Sequence, residues 1–163
     1  VIAIVGTIPD RDFPMILGEV NLDNGRIRIQ GNSFPVVRGT PALLAAAIKA
    51  CEVLGRPFPV GHLAGDIGLG DGSRRLYKYL TENLRNSEFS VITFHYFQPD
   101  VDWHNRIIFS LEEMAYRPIL IADAGFMYAA KMSGQSEFYD LFTPDVGEMA
   151  FLADEKAPHP FYT

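Results

Sequence analysis

The chain has 163 residues, 48% of them hydrophobic and 21% charged, a balance that suits one folded domain with a sizeable core and excludes a disordered chain. Its formal charge of −6 and pI near 5.1 argue against a broad basic surface for nucleic acid and leave only local patches such as Arg74 and Arg75.

Val1 to Ile8 is a β-branched run ended by Pro9, and Met15 to Leu22 is a second, so the chain is expected to open with two strands. Asn24-Gly25 is the positive-φ dipeptide of a tight hairpin, and Arg26 to Gln30 alternates polar with apolar as a return strand. Thr40-Pro41 reads as a hydroxyl cap followed by proline in the first helical turn. Leu44, Ile48 and Cys51 then recur at helical spacing until Gly55. Cys51, the one cysteine, excludes an intramolecular disulfide and reads as a small buried hydrophobe. Pro59 to Ala64 is a short apolar strand. A glycine-rich turn and the Leu76, Leu80, Leu84 stripe of a helix over 73–86 follow it. The strand-then-helix order repeats with 89–97 and 102–115, with 118–122 and a helix from about Phe126, and with 139–142 and 144–153.

Strands alternating with helices imply crossover connections, hence an α/β fold with a mainly parallel sheet covered on both faces. No repeat or linker divides it, so residues 1–163 are expected to form a single domain. The chain opens on Val1 rather than Met and closes at Thr163 without a charged tail or helix stop, as a fragment or partly observed protein would. No apolar stretch approaches the roughly 20 residues that span a bilayer, and no basic segment with an apolar core opens the chain, so a cytoplasmic location without membrane contact is the default expectation.

Ligands of open α/β sheets collect at the carboxyl ends of the strands, and two patches put carboxylates at such places: Gly18 to Asp23, and Thr143 to Glu148. Asp23 could start the Asn-Gly turn or accept two directional hydrogen bonds from a diol. Asp123 follows the apolar run 118–122 and is either a strand-end ligand or a helix cap. Asp145 and Glu148 are three apart in a first helical turn. Val146, Met149, Ala150 and Ala153 are expected to face inward there and the two carboxylates outward, where they suit a hard cation or oppose the helix dipole. Gly65 to Gly72 lacks the Gly-Lys-Ser/Thr ending of a phosphate loop, and Tyr77 stands where an EF-hand needs glutamate, so this segment reads as a strand-to-helix turn. His62, His95, His104 and His159 show no metal-ligand spacing and are expected to be structural or surface residues.

The order of these pieces resembles the amino-terminal half of the ribokinase, or PfkB-type, carbohydrate kinases. Its parts are Gly18-Glu19-Val20-Asn21-Leu22-Asp23, then Arg38-Gly39-Thr40-Pro41-Ala42 opening an Ala-rich helix, then Gly65-Asp66-Ile67-Gly68-Leu69-Gly70, with Thr143-Pro144-Asp145-Val146-Gly147-Glu148 near the end. The resemblance spans roughly residues 16–153 and implies a ribokinase-like three-layer sandwich with a small β-hairpin lid. It implies phosphoryl transfer from ATP, with Mg²⁺, to a sugar-like or nucleoside hydroxyl. By the same resemblance Asp23 would bind acceptor hydroxyls, the Arg38-Gly39 segment would lie against the acceptor, and Asp145 and Glu148 would help place the metal, while the strand-end position of Asp123 makes it a further candidate for substrate binding. The departures are specific. Arg38 replaces the first Gly of the family's Gly-Gly pair, Leu43 stands where an Asn binds substrate, and Asp145 stands where Asn is usual. An arginine at position 38 suits a phosphate or carboxylate, because guanidinium binds both bidentately. The Gly-x-Gly-Asp element that carries the family's catalytic base does not occur in these residues, so no catalytic residue is assigned. Thr143 to Met149 also resembles the Thr-Pro-His-x-Gly-Glu-Met segment of nucleotide-dependent NAD(P)H-hydrate dehydratases, a second enzyme class on the same fold. A ribokinase-like binding or regulatory domain that keeps the scaffold without catalysis is the third expectation, and a homodimer is compatible with each.

Overall fold

Period-two alternation in the first strand sets the layers of this computed structural model, which describes residues 1–154. Strand β1 (Ile2–Ile8) sends Ala3 and Val5 to one side and Ile4 and Ile8 to the other, and all four are buried. It lies inside a six-stranded sheet in the order β2 (Ile16–Glu19), β6 (Val60–Gly65), β1, β7 (Val91–His95), β8 (Ile119–Ala122), β9 (Leu141–Phe142). All neighbours pair in parallel except β2, which runs antiparallel to β6. The chain is therefore an α/β protein with a mixed, mostly parallel sheet flanked by helices.

On the Ala3 and Val5 side pack α2 (Asp71–Asn83), α3 (Val101–Glu112) and α4 (Gly125–Met132), through Leu76, Tyr77 and Leu80, Ile107, Ile108 and Leu111, and Phe126 and Met127. Phe94 of β7 stacks on Phe126 at 4.3 Å and 9°. The other side is covered by α1 (Thr40–Leu54), through Leu44 and Ile48, and by a small antiparallel sheet of β3 (Asn21–Asp23), β4 (Arg26–Ile29) and β5 (Asn32–Pro35). Asn24 and Gly25 take φ of 49° and 72°, the left-handed pair that a two-residue hairpin requires. Cys51 is buried in α1, as its apolar setting suggests.

Several sequence expectations need correction. The run 15–22 is not one strand. It breaks at the fully buried Val20, so that β2 joins the large sheet and β3 the small one. Strand β5 is missed altogether, because Asn32-Ser33-Phe34-Pro35 carries only one inward apolar side chain, Phe34. Thr40 does not cap α1. Gly39 is the cap residue, and the Thr40 hydroxyl bonds to His95 instead. The last helix, α5 (Val146–Ala153), is turned over relative to expectation. Phe151 is its buried residue, while Val146 is 90% and Met149 52% exposed. Apolar residues sit on both faces of α5, so periodicity could not choose between them, and the face that turns inward carries Glu148.

Three of the four histidines are buried in the sheet or a helix, His62, His95 and His104, and His159 lies outside the described residues. His62 sits edge-on to Tyr79 and Phe89 with Nδ1 unpartnered, and burial pushes its pKa down to about 4. His104 bonds to Tyr139 and Ser133, and burial likewise pushes it down to about 4. Among the described residues no helix is long and apolar enough to cross a membrane.

Candidate functional site

Strands β1, β6, β7 and β8 all end on one edge of the sheet. The chain leaves β1 toward β2 and β6 on one flank, whereas it leaves β7 toward β8 on the other, so β1 and β7 are neighbours whose connections diverge. Such a switch point leaves a crevice beyond the strand ends. A cleft of about 480 Å³ lies there, floored by Thr7 of β1, Asp66 after β6, Tyr96 after β7, Ala124 after β8, and Gly39 and Thr40 at the start of α1.

The floor is held by polar groups in short chains of hydrogen bonds. The Thr7 hydroxyl donates to the Tyr96 carbonyl at 2.6 Å, tying the two diverging strands together. His95, the last residue of β7, faces α1. Its Nδ1 lies 2.8 Å from Thr40 Oγ1, and its Nε2 2.9 Å from Asp123 Oδ2. Asp123 also accepts from the Ala124 amide at 2.9 Å and from the Thr143 side chain. Burial would raise the Asp123 pKa, but the His95 hydrogen bond and charge and the Ala124 and Thr143 donors outweigh it and hold the carboxyl below its ordinary value. Gly6 makes this junction fit, since a Cβ there would lie 2.5 Å from the His95 carbonyl and 2.6 Å from Thr40 Oγ1.

Asp66 organises the glycine-rich turn. One carboxylate oxygen accepts from the amides of Gly68, Leu69 and Gly70, and the other from the amide and hydroxyl of Ser73, all within 3.0 Å. Burial opposes its charge, and the Ser73, Gly70 and Gly68 donors more than compensate, so its pKa is lowered. The Ser73 hydroxyl in turn receives the Gln98 amide at 2.9 Å, which fixes the loop after β7 against α2. The expectation of a strand-to-helix turn at 65–72 holds, with Asp66 as its anchor.

Two helices open onto the cleft without a side-chain cap and without an acidic residue in the first turn, α1 at Gly39 and α4 at Ala124. Helix α5 differs. Asp145 and Glu148 form a reciprocal capping box, each side chain accepting the other's amide at 2.8 Å. Glu148 nevertheless lines the cleft. Burial raises its pKa, and the charges of Asp145 and Asp123 add to that, against the Asp145 amide and His95, which lower it. Across from it, Tyr128 is raised by burial and by the charges of Glu148 and Asp145.

Of the residues the sequence singles out, the structure brings Arg38, Gly39 and Glu148 to the cleft, with Asp123 bonded to its floor. Asp145 acts as a helix cap, and Asp123 bonds to His95 rather than serving as the cap residue of α4, which is Ala124. Asp23 is not brought to the cleft. It lies on β3 in a 2.7 Å ion pair with Arg28. Sequence reasoning missed His95, although it ends a strand just as Asp123 follows one, and the same strand-end rule would have selected it. Tyr96 had no signal, because its place depends on a φ of 58°.

No family model matches the chain, and no solved structure matches it. It is similar to the uncharacterized protein MJ1337 of Methanocaldococcus jannaschii, with 38% identity over 120 residues, 74% of this chain and 47% of the relative. The chain thus spans about half the length of that relative.

Proposed function

We propose that this chain belongs to a ribokinase-like enzyme that transfers a phosphoryl group from ATP to a hydroxyl of a small acceptor. The observation that carries the proposal is the cleft at the switch point, onto which α1 and α4 both direct uncapped amino termini. The positive end of each helix dipole favours a phosphate there. The order of the motifs around the cleft, Arg38-Gly39-Thr40, then Asp66, then Glu148, agrees with the resemblance to carbohydrate kinases.

The donor set suits Mg²⁺ held through water. Among the described residues there is no cluster of three or more His, Cys, Asp or Glu side chains that would enclose a metal. Glu148 Oε2 is taken by the Asp145 amide, which leaves Oε1 for a metal-bound water. The ion would neutralise phosphate charge when bound with nucleotide. The chain's own groups fix the frame: Asp66 holds the glycine turn, and Thr40, His95 and Asp123 lock the ends of α1, β7 and β8 to one another.

The resemblance of Thr143 to Met149, with Gly147-Glu148-Met149 in agreement, supports a nucleotide-dependent NAD(P)H-hydrate dehydratase as the second function. Full-length protein distinguishes the two. MgATP or MgADP should raise the melting temperature, since a ligand at about 100 times its Kd stabilises by about 2.7 kcal/mol. Phosphorylated product from a sugar and nucleoside panel supports the kinase, and Glu148→Gln should lower its metal-dependent turnover. Rising reduced-nicotinamide absorbance from hydrated NADH, with no phosphorylated product, overturns it in favour of the dehydratase. Silence in both assays with nucleotide bound leaves a binding role.

A further inference from the structure

The charged groups of the cleft are unequally committed. Arg38, Asp66 and Glu148 line it. Asp66 is surrounded by five donors, and Glu148 accepts the Asp145 amide. Arg38 makes no hydrogen bond or ion pair among the described residues. Other arginines are engaged: Arg28 with Asp23, Arg74 with Asp71, Arg75 with the Gly65 carbonyl, Arg117 with Asp140. An unpaired arginine is ordinary on an open surface. Its place in the wall of the cleft, with apolar Pro9 and Ile67 also lining it, is what calls for a partner.

Tyr96 stands beside it. Its φ of 58° is costly for a residue with a ring, and the backbone is held there by the 2.6 Å bond from Thr7 to its carbonyl. The ring, 50% exposed, lies over Gly39. A Cβ on that glycine would sit 3.6 Å from three of the ring carbons, so the residue next to Arg38 and the ring are in contact. The cleft lining therefore holds a guanidinium without a partner among the described residues and, against the neighbouring Gly39, the ring of a half-exposed tyrosine that also packs tilted against His95 at 4.8 Å. The guanidinium offers two parallel donors to a carboxylate or phosphate, and the ring offers a stacking surface to a planar group. Of the charged residues that line the cleft, Asp66 and Glu148 are acidic and Arg38 is the cation, which favours an anion at Arg38.

We infer that the cleft takes a small planar-ring compound bearing a carboxylate or phosphate, its anion on Arg38 and its ring on Tyr96. If the phosphoryl-transfer proposal holds, this compound is the acceptor; the binding claim itself does not depend on that chemistry.

The test uses full-length protein and matched probes: nicotinate against nicotinamide, pyridoxamine 5′-phosphate against pyridoxamine, and glycerol 3-phosphate as an anion without a ring. Calorimetry should show at least one anionic ring binding about tenfold or more tighter than its neutral partner. Which pair responds tells carboxylate from phosphate. Arg38→Gln should abolish the preference, and Arg38→Lys should keep part of it. Tyr96→Leu should weaken the ring-bearing anion while leaving glycerol 3-phosphate unchanged. Arg38 is exposed, so an unchanged melting temperature will show that its variants fold. Equal affinity for charged and neutral partners, or a preference that survives Arg38→Gln, overturns the inference. MgADP binding measured on the same variants keeps the two proposals apart, since loss of nucleotide binding strikes phosphoryl transfer and leaves the anion preference standing.

Discussion

The cleft edge of the large sheet and the small sheet beside it both display aspartates at strand ends, yet the two regions use them in opposite ways. Asp66 is 8% exposed and is bonded by four amides and a hydroxyl, and Asp123 is bonded by His95, Ala124 and Thr143. Asp23 faces solvent with one partner, Arg28, and the two side chains are 46% and 59% exposed. A carboxylate that replaces its lost water with fixed donors becomes part of the frame. One that keeps its water stays replaceable. Strand-end position alone does not decide which of these a residue becomes.

The largest effect should come from Asp66→Ala. It leaves the amides of Gly68, Leu69, Gly70 and Ser73 without their acceptor, with water able to reach only the exposed ones, so a loss of about 4 kcal/mol in unfolding free energy is expected. Asp66→Asn should recover part of it, because the amide oxygen still accepts. Urea denaturation of both variants measures the difference. A loss below about 1 kcal/mol for the alanine variant would put Asp66 in the same class as Asp23.

Acid titration separates the groups by pH window. His62 and His104 have pKa values lowered to about 4 from 6.5, so the unfolded chain binds more protons between those values. Their stabilising effect is complete above pH 6.5 and is lost as pH falls toward 4, by up to about 3 kcal/mol each. Asp66 and Asp123 are lowered from 3.8, so what they contribute persists through that window and is lost only as pH falls below 3.8. His62→Phe should flatten the upper limb and Asp66→Asn the lower one, read as urea midpoints from pH 8 to 2.5. A single limb unchanged by either variant would contradict the assignment.

His95→Gln follows, at about 2 kcal/mol, because glutamine cannot reach Thr40 and Asp123 together and one of them loses its partner. The same variant should weaken nucleotide binding in full-length protein if α1, β7 and β8 must be locked for the cleft to hold its shape. Unchanged stability would show that Thr40 and Asp123 find other partners.

Much of the frame was legible in the sequence because it rests on local rules. The Asn24-Gly25 hairpin, the Leu44, Ile48 and Cys51 stripe and the parallel order all follow from φ preference and periodicity. The site was legible only in part. Glu148 and Gly39 belong to motifs with recognisable spacing. His95 meets Thr40 across 55 residues, and Thr7 meets Tyr96 across 89, and no local pattern encodes such pairings. The inward face of α5 was misread because its apolar residues surround the helix, and Phe151 packs against Tyr128 of α4 in a contact that only the tertiary fold creates.

The smallest effect is expected from Asp23→Ala, and it tests the comparison most directly. An ion pair between two side chains this exposed gains little, since solvent screens it and both long side chains lose freedom to hold it, so the change should be about 0.5 kcal/mol or less. Asn24 and Gly25 adopt the hairpin conformation through their own backbone preference, so the turn should survive the loss of the carboxylate before it. Acceptor binding can respond independently of stability. If the small sheet carries Asp23 to an acceptor hydroxyl when substrate is bound, Asp23→Asn should raise KM for the acceptor with little change in the melting temperature. If KM and stability both stay unchanged, Asp23 has no part in the site, and the acceptor is held from the Arg38 wall.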